Sequence, residues 1–328
     1  MEYLLKLPLF KLMFILSKQK PELLFFILLI VGLVHISVDV MSQDINKHEE
    51  ISLWSKNIPD GPGPGGSEHV SKKGVYTNVS QPRMVVFRPQ HPNGIGILVI
   101  SGGGYAHIEI GKESTPAAAW LQANGITAFE LIYRLPAEGW ATTNVPFEDG
   151  QRAIRIIRSK ANAFGIDPHK IGIMGFSAGG HLAGMIETCF NTPFYAPNDR
   201  IDYLSARPDF AVLLYPVITM LPPYDHTHSE KVIIGRHPGS EQQKAYSVQL
   251  HVNSQTPPTF LAQAADDPIA NVANSKLMYT ALQQYGIPSQ LHIFPEGGHG
   301  WGMGMAGTPE KEWPELFKRW AKGVNIWP

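Results

Sequence analysis

Short apolar runs alternate along the chain with longer stretches in which apolar residues recur every three or four positions. Met84–Phe87 and Ile95–Ile100 have the length and character of strands. Ser114–Ala123 predicts a helix, with Pro116 near its start and Gly125 just past its end. Ile126–Tyr133, β-branched and aromatic, predicts a strand. Phe147–Phe164 sets Ala153, Ile156, Ile157, Ala161 and Phe164 at helical spacing, hence an amphipathic helix. A strand at Ile171–Gly175, a helix at Ala178–Cys189 and an almost continuously apolar strand at Phe210–Val217 follow. Strands at Pro258–Gln263 and Gln290–Phe294 flank a helix at Asn274–Tyr285, and Thr308-Pro309-Glu310 opens a last helix. Strands alternating with helices of this length predict an α/β fold: a mostly parallel sheet with helices on both faces.

Two segments break the rhythm. Residues 43–80 are polar and rich in Pro and Gly, above all at 59–66, and are expected to form a surface loop or linker without regular ladders. Residues 218–257, with Pro, Gly and His, are expected to form a small lid-like insertion over the sheet edge. The catalytic domain would then occupy residues 81–328. At the N-terminus Leu23–Val34 is apolar apart from Gly32 and follows Lys18 and Lys20. That is the length of a signal-peptide core and short of the ~20 residues that span a bilayer. Residues 1–42 are therefore expected to be a signal peptide cleaved after Ser42, with Met13 an alternative start. Such a product is secreted or periplasmic; uncleaved, the same segment is a membrane anchor.

Composition narrows the function. A formal charge of −1 without blocks of like charge gives no electrostatic attraction to nucleic acid or anionic lipid. Cys189, the single cysteine of the sequence, is expected to be a small buried residue, not a reactive thiol.

The chemistry concentrates in a few glycine-rich places. Gly175-Phe176-Ser177-Ala178-Gly179 fits G-x-S-x-G between a predicted strand and a predicted helix, where the turn lifts a serine hydroxyl clear of the sheet. Ser177 is thus a candidate nucleophile, with the Ala178 N–H at a helix N-terminus. Ser101-Gly102-Gly103-Gly104-Tyr105 follows a strand and brings backbone amides close to a ligand, as an oxyanion hole requires. A phosphate cradle is the rival reading, but no GK[ST] follows. His299, in Gly297-Gly298-His299-Gly300 beyond the last strand, is the candidate base. Asp266 and Asp267 are two candidate acids, Asp267 the preferred one. His292 and His181 read as packing residues, and His226, His228 and His237 as a solvated lid loop in preference to a metal site. Tyr105, Trp140 and Trp301 read first as packing and second as platforms for sugar rings.

Together these blocks resemble the α/β-hydrolase-fold esterases known as acetyl esterase/lipase or xylanase-associated acetylxylan esterases. The resemblance runs from about Leu53 to the C-terminus. It also rests on Leu131-Ile132-Tyr133-Arg134-Leu135, on Asp149 with Arg152-Ala153-Ile154-Arg155, and on Thr256-Pro257-Pro258-Thr259-Phe260. It implies an α/β-hydrolase fold, with nucleophile Ser177, acid Asp267, base His299 and an oxyanion hole from Gly103, Gly104 and Ala178. It also implies an ester substrate, small or carbohydrate, and no metal or organic cofactor. Ser101 stands where the family often has His or Pro. A prolyl-oligopeptidase-like peptidase and a non-catalytic binding module on the same scaffold are the alternative functions.

Overall fold

The computed structural model describes residues 48–54 and 57–328. The expected leader at 1–42 lies outside the described residues. Among these, an eight-stranded sheet runs in the order β1-β4-β6-β5-β7-β8-β9-β10. The strands are β1 (Glu49–Ser52), β4 (Arg83–Phe87), β5 (Gly94–Ile100), β6 (Thr127–Ile132), β7 (Ile166–Phe176), β8 (Phe210–Leu214), β9 (Thr259–Ala264) and β10 (Ser289–Phe294). β1 pairs antiparallel with β4, and β4 antiparallel with β6; the pairs from β6 through β10 are parallel. The helices are α1 (Ser114–Ala123), α2 (Val145–Ser159), α3 (Ala178–Thr188), α4 (His228–Ile233), α5 (Ser240–Ala245), α6 (Ala273–Gln284) and α7 (Trp313–Gly323).

Successive strand residues point to opposite faces, so a strand covered on both faces must be apolar throughout. β5 obeys this. Ile95, Ile97 and Val99 join Ala117 and Leu121 of α1 and Trp313 and Phe317 of α7 in one core. Leu98 and Ile100 join Ile154 and Ile157 of α2, Leu182 and Ile186 of α3, and Met278 of α6 in the other. The predicted α/β architecture with helices on both faces is therefore what the chain forms.

The differences from expectation are local. The segment 43–80 carries regular pairing after all: β1 extends the main sheet, and β2 (His69–Val70) pairs with β3 (Tyr76–Thr77). Leu53 and Trp54 are buried beside β1. The helix expected through Phe164 ends at Ser159 and passes into a 3-10 turn, Ala161–Phe164, closed by left-handed Gly165. β8 stops at Leu214 because Tyr215 takes a φ of 37°, which an extended strand does not accept. A 3-10 turn, Pro309–Glu312, precedes α7; the Thr308 hydroxyl bonds Met305 O and Glu310 instead of capping the backbone.

The insertion at 218–257 leaves β8 and returns to β9, two inner strands, so it covers strand ends beside Ser177 and not the sheet edge. Its root is fixed by Asn274 Oδ1, which accepts the amides of Ile218 (2.8 Å) and Thr219 (3.0 Å). On the opposite flank, Asp149 of α2 accepts Trp54 Nε1 at 2.8 Å, Arg134 N at 2.9 Å and the Arg134 guanidinium. Asp149 and Arg134 belong to the blocks that carry the family resemblance, and their common work is to hold the turn after β6 to α2.

Candidate active site

β7 runs directly into Ser177, and α3 begins at the next residue. Ser177 has φ 53° and ψ −117°, a conformation that costs an L-residue on the order of 1–3 kcal/mol. Neighbouring backbone enforces it: the Ser177 amide donates to Leu214 O at 3.0 Å, and its carbonyl accepts from His181 N (3.1 Å) and Val217 N (3.2 Å). Both flanking glycines are obligatory. A Cβ on Gly175 would lie 2.1 Å from Gly179 O, and one on Gly179 would lie 2.3 Å from Ile100 O.

His299 Nε2 lies 2.7 Å from Ser177 Oγ, and His299 Nδ1 lies 2.7 Å from Asp267 Oδ2. An ionised carboxylate only accepts, so Nδ1 carries the proton and Nε2 is left to accept the serine hydroxyl. Asp267 is held hard: Oδ1 accepts the amides of Ile269 (2.8 Å) and Ala270 (2.9 Å), while Gln263 Nε2 approaches Oδ2 at 3.3 Å. Gln263 is itself fixed by Ser275 Oγ and by its bond to Ala270 O. Of the two aspartates left open by the sequence, Asp267 reaches the imidazole. Asp266 Oδ1 instead accepts the amide of Gly298 at 2.8 Å, steadying the loop that carries His299. The Asp267 side chain is fully buried and that of His299 is 11% exposed, so their bond is shielded from water.

Gly103 and Gly104 line a cavity of about 500 Å³ together with Ser177 and His299. Among the described residues the amides of Gly103, Gly104 and Ala178 have no hydrogen-bond partner and remain able to donate. The loop that carries the two glycines is pinned through Gly102. Its carbonyl accepts Glu109 N at 3.1 Å, and its amide donates to Glu113 Oε2 at 2.6 Å. Ser101, which departs from the family's usual His or Pro, accepts Ser114 N on Oγ at 3.0 Å and Tyr133 OH on its carbonyl at 3.0 Å.

Glu113 is buried at the edge of this cavity and was not a candidate from sequence. Burial raises its carboxyl to about 7 against the opposing pull of the Gly102 amide, the Tyr215 hydroxyl and His299. Its one sequence signal is position: an acid immediately before a helix that follows the glycine loop.

The remaining candidates fall into place as packing. His181 accepts Tyr105 OH on Nδ1 (2.8 Å) and donates from Nε2 to Tyr246 O (2.8 Å), so it ties the insertion to the core. Burial lowers its pKa to about 4, which keeps it neutral. Tyr105, Trp140 and Trp301 are buried and offer no open face for a sugar ring. Trp140 lies against Arg134, and Trp301 meets Tyr215 edge-on at 4.4 Å. Cys189 is buried, and burial pushes its thiol up. His292 is a half-buried strand residue. His226 is exposed beside Asp225, and His228, also exposed, lines the cavity with Thr227 and Ser229. His237 is exposed too, so all three keep to the solvated-loop reading. α4 stands over the glycine loop: a Cβ on Gly104 would lie 3.1 Å from the His228 ring. Among the described residues no group of three or more metal-ligating side chains converges.

Comparison with known proteins agrees with this architecture. The BD-FAE family model matches residues 87–282. An acetylxylan esterase of Xylanibacter ruminicola is 36% identical over 247 residues, 74% of this chain and 48% of that protein. Endo-1,4-beta-xylanase B of Butyrivibrio fibrisolvens is 37% identical over 241 residues, 69% of this chain and 34% of that protein. The chain thus spans half the length or less of these curated relatives. The crystal structure of an acetyl ester-xyloside bifunctional hydrolase from Caldicellulosiruptor lactoaceticus superposes with TM-score 0.72 at 34% identity, over 86% of this chain and 98% of that one. The family match covers more than half of the chain and includes the glycine loop at 102–104, the elbow at 175–179 and Asp267. The chain belongs to the BD-FAE family and is built on the α/β-hydrolase fold.

Proposed function

We propose that the protein is a serine esterase that removes short acyl groups, acetyl above all, from carbohydrate esters such as acetylated xylan or its fragments. The observation that carries this reading is the unbroken chain Ser177–His299–Asp267, two contacts of 2.7 Å, opening on a cavity edged by unpaired loop amides. The names of the relatives supply the sugar. Within the cavity, His107, Thr227, His228 and Ser229 offer polar atoms to a hydroxylated alcohol moiety.

Ser177 Oγ attacks the ester carbonyl as His299 Nε2 takes its proton. Asp267 keeps the imidazole in the tautomer that allows this and stabilises the imidazolium that results. The charge growing on the carbonyl oxygen falls to the amides of Gly103, Gly104 and Ala178, where one such donor contributes about 2.7–4 kcal/mol to the transition state. His299 then returns the proton to the leaving alcohol. Water, deprotonated by the same imidazole, attacks the acyl-enzyme and frees Ser177 and the carboxylic acid. The expected leader at 1–42 would place this activity outside the cytoplasm, where polysaccharide is met.

An acyl-chain series of p-nitrophenyl esters, followed by acetate release from acetylated xylan, tests the substrate. Acetyl turnover above that of longer chains, with acetate released from the polymer, supports the reading. A preference for long chains, or xylan left intact, overturns it.

A further inference from the structure

Two loops supply the proposed esterase site from opposite sides: the glycine loop after β5 brings donors, and the loop after β10 brings His299. One buried acid touches the supports of both. Glu113 Oε2 accepts the Gly102 amide at 2.6 Å, and Glu113 Oε1 accepts the Tyr215 hydroxyl at 2.9 Å. The Tyr215 oxygen in turn accepts the amide of Gly302 at 3.0 Å, three residues beyond His299. The Tyr215 ring also meets the His299 ring edge-on at 5.0 Å.

We propose that Glu113 is a positioning residue whose carboxylate clamps the oxyanion loop on one oxygen and, through Tyr215, the histidine loop on the other. The inference rests on the esterase reading and deepens it. Both carboxylate oxygens accept, so the clamp needs the ionised form. A proton on Oε2 would face the Gly102 N–H, which can only donate. A proton on Oε1 would make the Tyr215 oxygen accept from both Glu113 and Gly302 and leave its own O–H without its acceptor, so either weakens the clamp. The groups that face Glu113 are Glu109 and Lys112 from its own loop, Tyr133 beyond β6, Tyr215 beyond β8 and His299. Burial dominates among the influences on its carboxyl, and the clamp therefore loosens near neutral pH instead of in strong acid.

The test is the pH profile of kcat/KM for p-nitrophenyl acetate, read beside the rate of Ser177 labelling by a fluorophosphonate. In the wild type both should fall on the acid side, with Glu113 taking up one of the protons of that limb. Glu113→Gln keeps one acceptor and puts an NH₂ donor where the other stood, so the Tyr215 O–H or the Gly102 N–H loses its acceptor. It should lower kcat by roughly 10²-fold with KM nearly unchanged, and reduce the limiting slope of the acid limb by one. Adding Tyr215→Phe to Glu113→Gln should cost no more than about threefold beyond the worse single change, because both break the same chain. If Glu113→Gln does not fold, Tyr215→Phe carries the test. It strips a donor from the carboxylate, so the acid limb must move to higher pH. An acid limb of equal slope in the wild type and Glu113→Gln, an unmoved limb in Tyr215→Phe, or independent losses in the double variant overturns the clamp. Wild-type labelling without acetate turnover overturns the ester reading alone, and the labelling rates still decide the clamp. Absence of both in the wild type overturns both proposals.

Discussion

Asp266 and Asp267 are adjacent in the chain, yet their carboxylates act on different atoms of the same loop. Asp267 Oδ2 meets the His299 imidazole at 2.7 Å, and Asp266 Oδ1 holds the Gly298 amide at 2.8 Å. The first is buried and sets the tautomer, and the second is exposed and steadies backbone.

Asp267→Asn should therefore lower kcat by about 10⁴-fold, because an amide N–H facing Nδ1 selects the wrong tautomer. Asp266→Asn keeps an oxygen for the Gly298 amide and should cost less than about tenfold. Steady-state kinetics of the two variants on p-nitrophenyl acetate checks the contrast. Similar losses in both would contradict the assignment.

The sign of the His181 effect on stability is fixed by its surroundings. Its pKa falls from 6.5 to about 4 on folding, chiefly by burial. Between those values the unfolded chain binds more protons than the folded one, so stability rises with pH. Its contribution is complete above pH 6.5 and is lost as pH falls toward 4. Relative to His181→Gln, the wild type should lose on the order of 3 kcal/mol across that window in urea titrations. Glu113 and Glu187 have raised carboxyls and act in the opposite sense, but both are common to wild type and variant and cancel in the difference. An equal acid dependence in the two proteins would contradict the neutral, tethering role of His181.

Gly179→Ala should destabilise by about 3 kcal/mol or more, at the upper end of overpacking costs. Its Cβ would lie 2.3 Å from Ile100 O and 2.6 Å from Ser101 O, both backbone atoms that cannot swing aside. Thermal melting beside residual activity is the measurement. A stable, active variant would show that the elbow is less constrained than its geometry requires.

The leader reading makes a mass prediction. Protein recovered outside the cytoplasm of an exporting host should begin at Gln43. An intact mass that includes Met1 or begins near Met13 would contradict cleavage after Ser42.

How far the sequence alone reached follows from what each feature depends on. Ser177 and His299 were legible because glycines punctuate their loops and the flanking elements have clear periods. The choice between Asp266 and Asp267 was open from the residues themselves, since neighbours in one loop differ in direction, and direction is set by Gln263, Ile269 and Ala270. Glu113 was illegible because its partners lie at Gly102 and Tyr215, and nothing in local pattern joins residues 102 positions apart. β1 escaped notice because Glu49–Ser52 is a short edge strand with one buried side chain and an otherwise polar face. β7 extends before the apolar run at Ile171 back to Ile166, but the ladder skips Asp167–Lys170 between the pairs Gly94–Ile166 and Gly96–Ile171, an irregularity that no apolar pattern signals. The insertion at 218–257 was visible as a break in rhythm. Its seat over the Ser177 cavity depended on tertiary bonds such as His181 to Tyr246.

The most direct test of the account is the hydrolysis of p-nitrophenyl acetate by the wild type and by Ser177→Ala. The account predicts clear turnover by the wild type and a fall of about 10⁶-fold in kcat in the variant, to the residue left by binding and oxyanion donors alone. Near-wild-type turnover by Ser177→Ala would contradict it.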